Sequence, residues 1–99
     1  MPKEVIWSPE SEKDLDKLLD YLATDWDTSV VLKFIDLLEV LVDQISYNPL
    51  QFPSIKRKLN IRKCVITKHN SLFYRNKRGN VEILRIYDTR QDPESLEFI

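Results

Sequence analysis

The stretch Ile61–Pro93, IRKCVITKHNSLFYRNKRGNVEILRIYDTRQDP, limits the folds open to this chain more than any other. Ile61 to Thr67, Leu72 to Lys77 and Val81 to Tyr87 are three runs rich in branched and aromatic residues, which suit a pleated, half-buried surface. Two polar turns separate them. One is Lys68-His69-Asn70-Ser71; the other is Arg78-Gly79-Asn80, where the only glycine can supply a positive φ. Connections this short join antiparallel strands, because a parallel crossover needs many more residues. The segment therefore predicts a three-stranded meander.

Upstream, the apolar spacing changes to that of a helix. A short run, Val5-Ile6-Trp7, reads as a first strand and stops at Ser8-Pro9-Glu10. Ser8 suits an N-cap, Pro9 the first helical position, and Glu10 and Glu12 the positive end of the helix dipole. Leu15, Leu18, Leu19 and Leu22 then recur at helical spacing, with Asp14, Asp16, Lys17 and Asp20 on the other side. Asp27 or Thr28 caps a second helix. Its stripe of Val31, Phe34, Leu38, Leu41 and Ile45 is broadened by Val30, Leu37 and Val42, as for a helix packed on both a sheet and a neighbour. Tyr47-Asn48-Pro49 ends it. Pro49 to Asn60 reads as a connecting loop.

The order β-α-α-β-β-β predicts an α+β two-layer sandwich, an antiparallel meander sheet backed by a helical hairpin, with strand one on an edge. Residues 1–99 suit a single domain. One sheet face is left open in this arrangement, and Arg62, Arg75 or Arg85 projects from it according to register.

Charge divides the chain. Residues 1–55 hold four basic and eleven acidic side chains, a balance of −7; residues 56–99 hold eleven basic and five acidic, a balance of +6. Lys56 to Arg78 contains nine Lys or Arg and no Asp or Glu. An acidic scaffold half thus precedes a basic working half suited to nucleic acid or to an acidic protein. Phe73, Tyr74 and Tyr87 interleave with Arg75, Lys77 and Arg85, a pattern that fits base stacking and equally an amphipathic strand.

Few residues carry chemistry on their own. His69 offers an imidazole for acid–base work but sits in a turn. Arg90 follows the last run between Asp88 and Asp92, placed either to pin the strand end or to meet phosphate or carboxylate. Cys64 is the only cysteine and reads as a small core residue. No His/Cys/Asp cluster has metal-ligand spacing, and no glycine-rich phosphate loop exists, so neither metal nor cofactor is expected. The N-terminus turns charged too early for a signal peptide and no apolar run reaches membrane-spanning length, which sets the cytoplasm as the expected location.

Three features together resemble the RelE/ParE superfamily of toxins from bacterial type II toxin–antitoxin, or plasmid-stabilisation, systems. They are the strand leading to Ser8-Pro9-Glu10 and a helix with Trp26 near its end, the loop into Ile61-Arg62-Lys63, and the hairpin Phe73-Tyr74-Arg75 and Val81 to Leu84 closing on Asp88-Thr89-Arg90-Gln91-Asp92-Pro93. The resemblance implies a cytoplasmic toxin held inactive by a cognate antitoxin in a hetero-oligomer. ParE-like members bind DNA gyrase and are not enzymes; RelE-like members cut mRNA on the ribosome without metal. Under the second reading Arg62, Lys68, His69, Arg75 and Arg90 are the candidate catalytic residues, Arg90 matching the Arg that follows the last strand of such nucleases. This chain departs from the nuclease pattern at two places. Ser71 or Leu72 stands where those enzymes carry an Arg early in the third strand, and Leu96 where they carry a C-terminal Tyr. The ParE-like reading is therefore the expected one. A superfamily member without toxicity is the third.

Overall fold

The computed structural model describes residues 2–88. It contains β1 (Glu4–Trp7), α1 (Pro9–Asp25), α2 (Thr28–Tyr47), β2 (Ser54–Lys56), β3 (Ile61–Thr67), β4 (Asn70–Asn76) and β5 (Asn80–Asp88), with a single 3₁₀ turn at Arg57–Leu59. One five-stranded sheet runs in the order β1-β5-β4-β3-β2, and the helical hairpin covers one face. The two-layer α+β sandwich is as the sequence predicts. β3 to β5 form the antiparallel meander, while β1 joins the β5 edge in parallel, which makes the sheet mixed.

The helices begin where their caps place them. Ser8 is extended and its Oγ accepts a hydrogen bond from the Ser11 N–H at 3.1 Å. The same Oγ donates to the Leu84 carbonyl at 2.9 Å, and the Ser8 N–H donates to the Ile83 carbonyl at 2.9 Å. One residue thus caps α1 and fastens it to β5. At the start of α2 the Asp27 carboxylate accepts from Val30 N–H. Hydrogen bonds from the Ser29 side chain and the Val30 backbone hold that carboxyl below its ordinary range.

The core lies between hairpin and sheet. Phe34, Leu38 and Ile45 of α2 meet Cys64, Ile66, Leu72, Tyr74, Val81, Ile83 and Ile86, and the α1 leucines pack against this set. Each such side chain contributes about 1.5–3 kcal/mol when fully buried. Leu37 of α2 stays exposed, so its broad stripe is only partly covered.

Two expectations are corrected by sheet pairing. The predicted loop Pro49–Asn60 contains β2, which pairs antiparallel with β3 through Ser54 and Arg62. Three residues carry no readable period, and this strand exists because β3 offers it a partner. The predicted turn Lys68–Ser71 is shorter, since Asn70 and Ser71 already pair with Asp88 and Tyr87.

Burial also sets how the core titrates. It pushes the Cys64 thiol from 9.0 to about 11 and the Tyr74 hydroxyl from 10.0 to about 12. Both groups hold their protons more tightly folded than unfolded, so unfolding becomes easier once the unfolded chain can release them. Their contribution is complete below about pH 9 and is lost as pH climbs through 11 and 12. The urea midpoint is expected to be flat from neutrality to about pH 9 and to fall above it, with the Cys64→Ala variant losing the earlier part of the fall. A midpoint that holds steady to strongly alkaline pH would contradict this.

Candidate functional site

The register separates the candidate residues into two groups. Ile61 lies opposite Arg75 and Arg62 opposite Tyr74, so both arginines belong to the end of the sheet where β3 begins. Lys68 and His69 form the turn at the other end of the β3–β4 hairpin. Six residues of strand put about 20 Å between Arg62 and Lys68. The four described candidates do not converge on one site. Arg90 lies outside the described residues; the last described strand ends at Asp88, opposite Asn70 and hence at the His69 end.

The sheet face turned away from the helices is not simply open, since Ile61, Ser71 and Phe73 on it are buried, and Arg62 does not project from it. It shares the helix side of β3 with Cys64, and its Nη1 donates to the Phe52 carbonyl at 2.7 Å and the Leu50 carbonyl at 3.4 Å. Its guanidinium thereby braces the chain between α2 and β2. Arg75 alternates with Tyr74 and does face away from the helices. It is half-buried, and its Nε is buried without a hydrogen-bond partner among the described residues. The aromatic platform is also corrected. Tyr74 lies in the core, its hydroxyl donating to the Pro49 carbonyl at 2.6 Å and its ring edge-on to Phe52. Phe73 and Tyr87 pack edge-on with centroids 6.1 Å apart, and both are buried. None of the three presents an open ring for stacking.

Arg85 has a partner that sequence spacing does not reveal. Phe73 pairs with Arg85 and Tyr74 with Ile83, so β5 carries a bulge at Leu84. With the extra residue, Ile83 and Ile86 both enter the core and Arg85 is turned toward α1. Its Nε and Nη2 donate to the two Asp14 carboxylate oxygens at 2.7 and 3.1 Å. Asp14 also accepts the Ile86 N–H at 3.1 Å, beyond the point where β1 stops at Trp7. The bonded carboxylate pushes Arg85 above its ordinary pKa. These residues line a polar cleft of about 260 Å³ with Lys17, Tyr21, Asn70 and Asp88. Such a cleft offers hydrogen-bond donors and acceptors of both signs. His69 lines an adjoining, more apolar cleft of about 450 Å³ with Trp26, Lys33 and Leu37, and Tyr21 and Asn70 border both.

Among the described residues no group of three or more His, Cys, Asp or Glu could hold a metal ion, and no helix is long and apolar enough to cross a membrane.

The fold is similar to that of several solved structures. A chromosomal ParDE toxin–antitoxin system from P. aeruginosa superposes with a TM-score of 0.71 at 21% identity, over 87% of this chain and 95% of that one. A copper-bound mutant toxin from Helicobacter pylori matches at 0.60 and 28% identity, covering 89% and 96%. The E. coli DinJ–YafQ toxin–antitoxin complex matches at 0.63 and 15% identity, covering 91% and 96%. No curated protein matches the chain in sequence. Residues 5–93 match the family model described as ParE toxin of type II toxin-antitoxin system, parDE, and the chain belongs to that family.

Proposed function

We propose that this protein is a ParE-like growth inhibitor that binds DNA gyrase and is neutralised by a cognate antitoxin, with which it assembles as a hetero-oligomer in the cytoplasm. The match to the ParE toxin family over residues 5–93 carries this reading. The separation of the candidate residues supports it further. Cleaving RNA without metal calls for an acid, a base and a cationic clamp gathered around one phosphate. Arg62 stands at one end of the sheet, where its Nη1 braces backbone carbonyls, and Lys68 and His69 stand at the opposite end of the hairpin. Ser71 is a buried strand residue where a nuclease would need an exposed cation.

The test is expression without antitoxin, paired with assays of purified gyrase. The expected result is filamentation and a DNA-damage response with intact mRNA, together with inhibition of supercoiling in vitro. Ribosome-dependent mRNA cleavage with unaffected gyrase would replace this reading with the RelE-like one. Normal growth with folded protein would leave a family member without toxicity.

A further inference from the structure

The end of the sheet opposite the His69 turn gathers cations from segments distant in sequence. The chain leaves β2 through the exposed run Lys56-Arg57-Lys58 and turns into β3 at Asn60, the only described non-glycine residue with positive φ (55°). That left-handed residue reverses the backbone, and the Asn60 carbonyl then accepts the Asn76 N–H at 3.1 Å. This bond sets the β4–β5 turn, with exposed Lys77 and Arg78, beside the 3₁₀ turn. Between the two segments the sequence places no Asp or Glu. Glu82 pairs with Lys77 at 3.2 Å.

A cleft of about 440 Å³ opens here, lined by Ser54, Arg57, Asn60 and Arg62. Arg62 is already oriented, because Nη1 is held by the Phe52 and Leu50 carbonyls. Its Nε and Nη2 make no hydrogen bond among the described residues. Among the described residues the lining therefore supplies two guanidinium groups, a hydroxyl and a side-chain amide, with no carboxylate and no apolar side chain. We propose that this cleft binds phosphate groups of a nucleic-acid backbone, with Lys58 and Arg78 meeting the flanking phosphates.

Guanidinium groups match phosphate oxygens in geometry as well as charge. A protein partner of acidic character fits less well, because protein interfaces centre on buried apolar contacts that this lining lacks. Stacking plays no part, since Phe73, Tyr74 and Tyr87 are buried. Binding through phosphates alone is sequence-independent and strongly salt-dependent. The acidic residues of α1 and α2 lie in the other layer and bias the molecule to approach a polyanion by its sheet end. This assignment goes beyond gyrase binding and does not depend on it, because it concerns the isolated chain.

The test is anisotropy of a labelled mixed-sequence DNA duplex, and of a single-stranded RNA of equal length, titrated with the purified chain at several salt concentrations. Four phosphate contacts predict a log–log salt slope of about −3 to −4 on the duplex. Arg57→Gln/Lys58→Gln is expected to weaken binding at least about tenfold at low salt and to flatten the slope by about two. Both residues are exposed, so the fold persists, which circular dichroism checks. Arg62→Lys, which keeps the charge and loses the fork, is expected to weaken binding less. Lys13→Gln on α1 is expected to leave it unchanged. Preference between duplex and RNA identifies the source of the phosphates. Absence of salt-dependent binding, an unchanged slope in the Arg57/Lys58 variant, or equal competition by poly-glutamate overturns the proposal. Growth inhibition without nucleic-acid binding would overturn it while leaving the toxin reading intact.

Discussion

Asp14→Ala is expected to lower the stability of the fold by about 2–3 kcal/mol, and the melting temperature of a domain this size by roughly 10–20 °C. Removing one partner of a fully buried ion pair costs about 3–5 kcal/mol, because the remaining charge is left without compensation. Here the two side chains retain 29% and 16% exposure, which lets water recover part of that loss. The carboxylate does more than pair with Arg85, since it also takes the Ile86 N–H next to the β5 bulge. Asp14→Asn keeps an acceptor for that N–H and is expected to fall between wild type and Asp14→Ala. Arg85→Ala is expected to cost less than Asp14→Ala, because it leaves the Ile86 bond in place. Urea denaturation of the three variants and of the Asp14→Ala/Arg85→Ala double variant measures this. Strict additivity, or a loss below about 0.5 kcal/mol for Asp14→Ala, would show that the pair is decorative.

Tyr74→Ala is expected to be the most damaging single change among the strand residues, at about 3–5 kcal/mol. The ring is fully buried, lies edge-on to Phe52 at 6.4 Å and fills the space under the chain that leaves α2. Tyr74→Phe separates ring from hydroxyl. It keeps the packing but strands the Pro49 carbonyl, whose 2.6 Å bond disappears. A loss of about 1 kcal/mol follows from removing one such hydrogen bond. If Phe proved as harmful as Ala, the hydroxyl rather than the ring would be holding the 49–53 segment. Equilibrium unfolding of both variants under one set of conditions decides it.

Much of this fold is written locally. Ser8-Pro9 marks a helix start because capping involves a residue and its near neighbours, and the caps at Ser8 and Asp27 sit where the pattern puts them. β3 runs over the predicted Ile61–Thr67 for the same reason: short turns bound it. Features set by distant partners were not legible. β2 depends on β3, and the Asp14–Arg85 pair joins residues 71 positions apart through a bulge that no periodicity announces. One signal was available and decides a candidate. Cys64 reads as a core residue, and strand alternation puts Arg62 on the same face as Cys64, toward the helices. The candidate site was legible as a set of residue types but not as a place. The strand that groups Arg62 with Arg75 also carries Lys68 and His69 to its other end.

The parallel pairing of β1 with β5 has a consequence for the birth of the protein. Ser8 meets the Leu84 carbonyl across 76 positions. At ordinary elongation rates of about 5–20 residues per second, the ribosome needs roughly 4–15 s to supply that partner. Throughout that interval the first strand has no sheet partner, and α1 lacks its anchor on β5. Synthesis of β5 is therefore what closes the sheet, and a nascent chain stalled before β5 cannot present the finished sheet to anything.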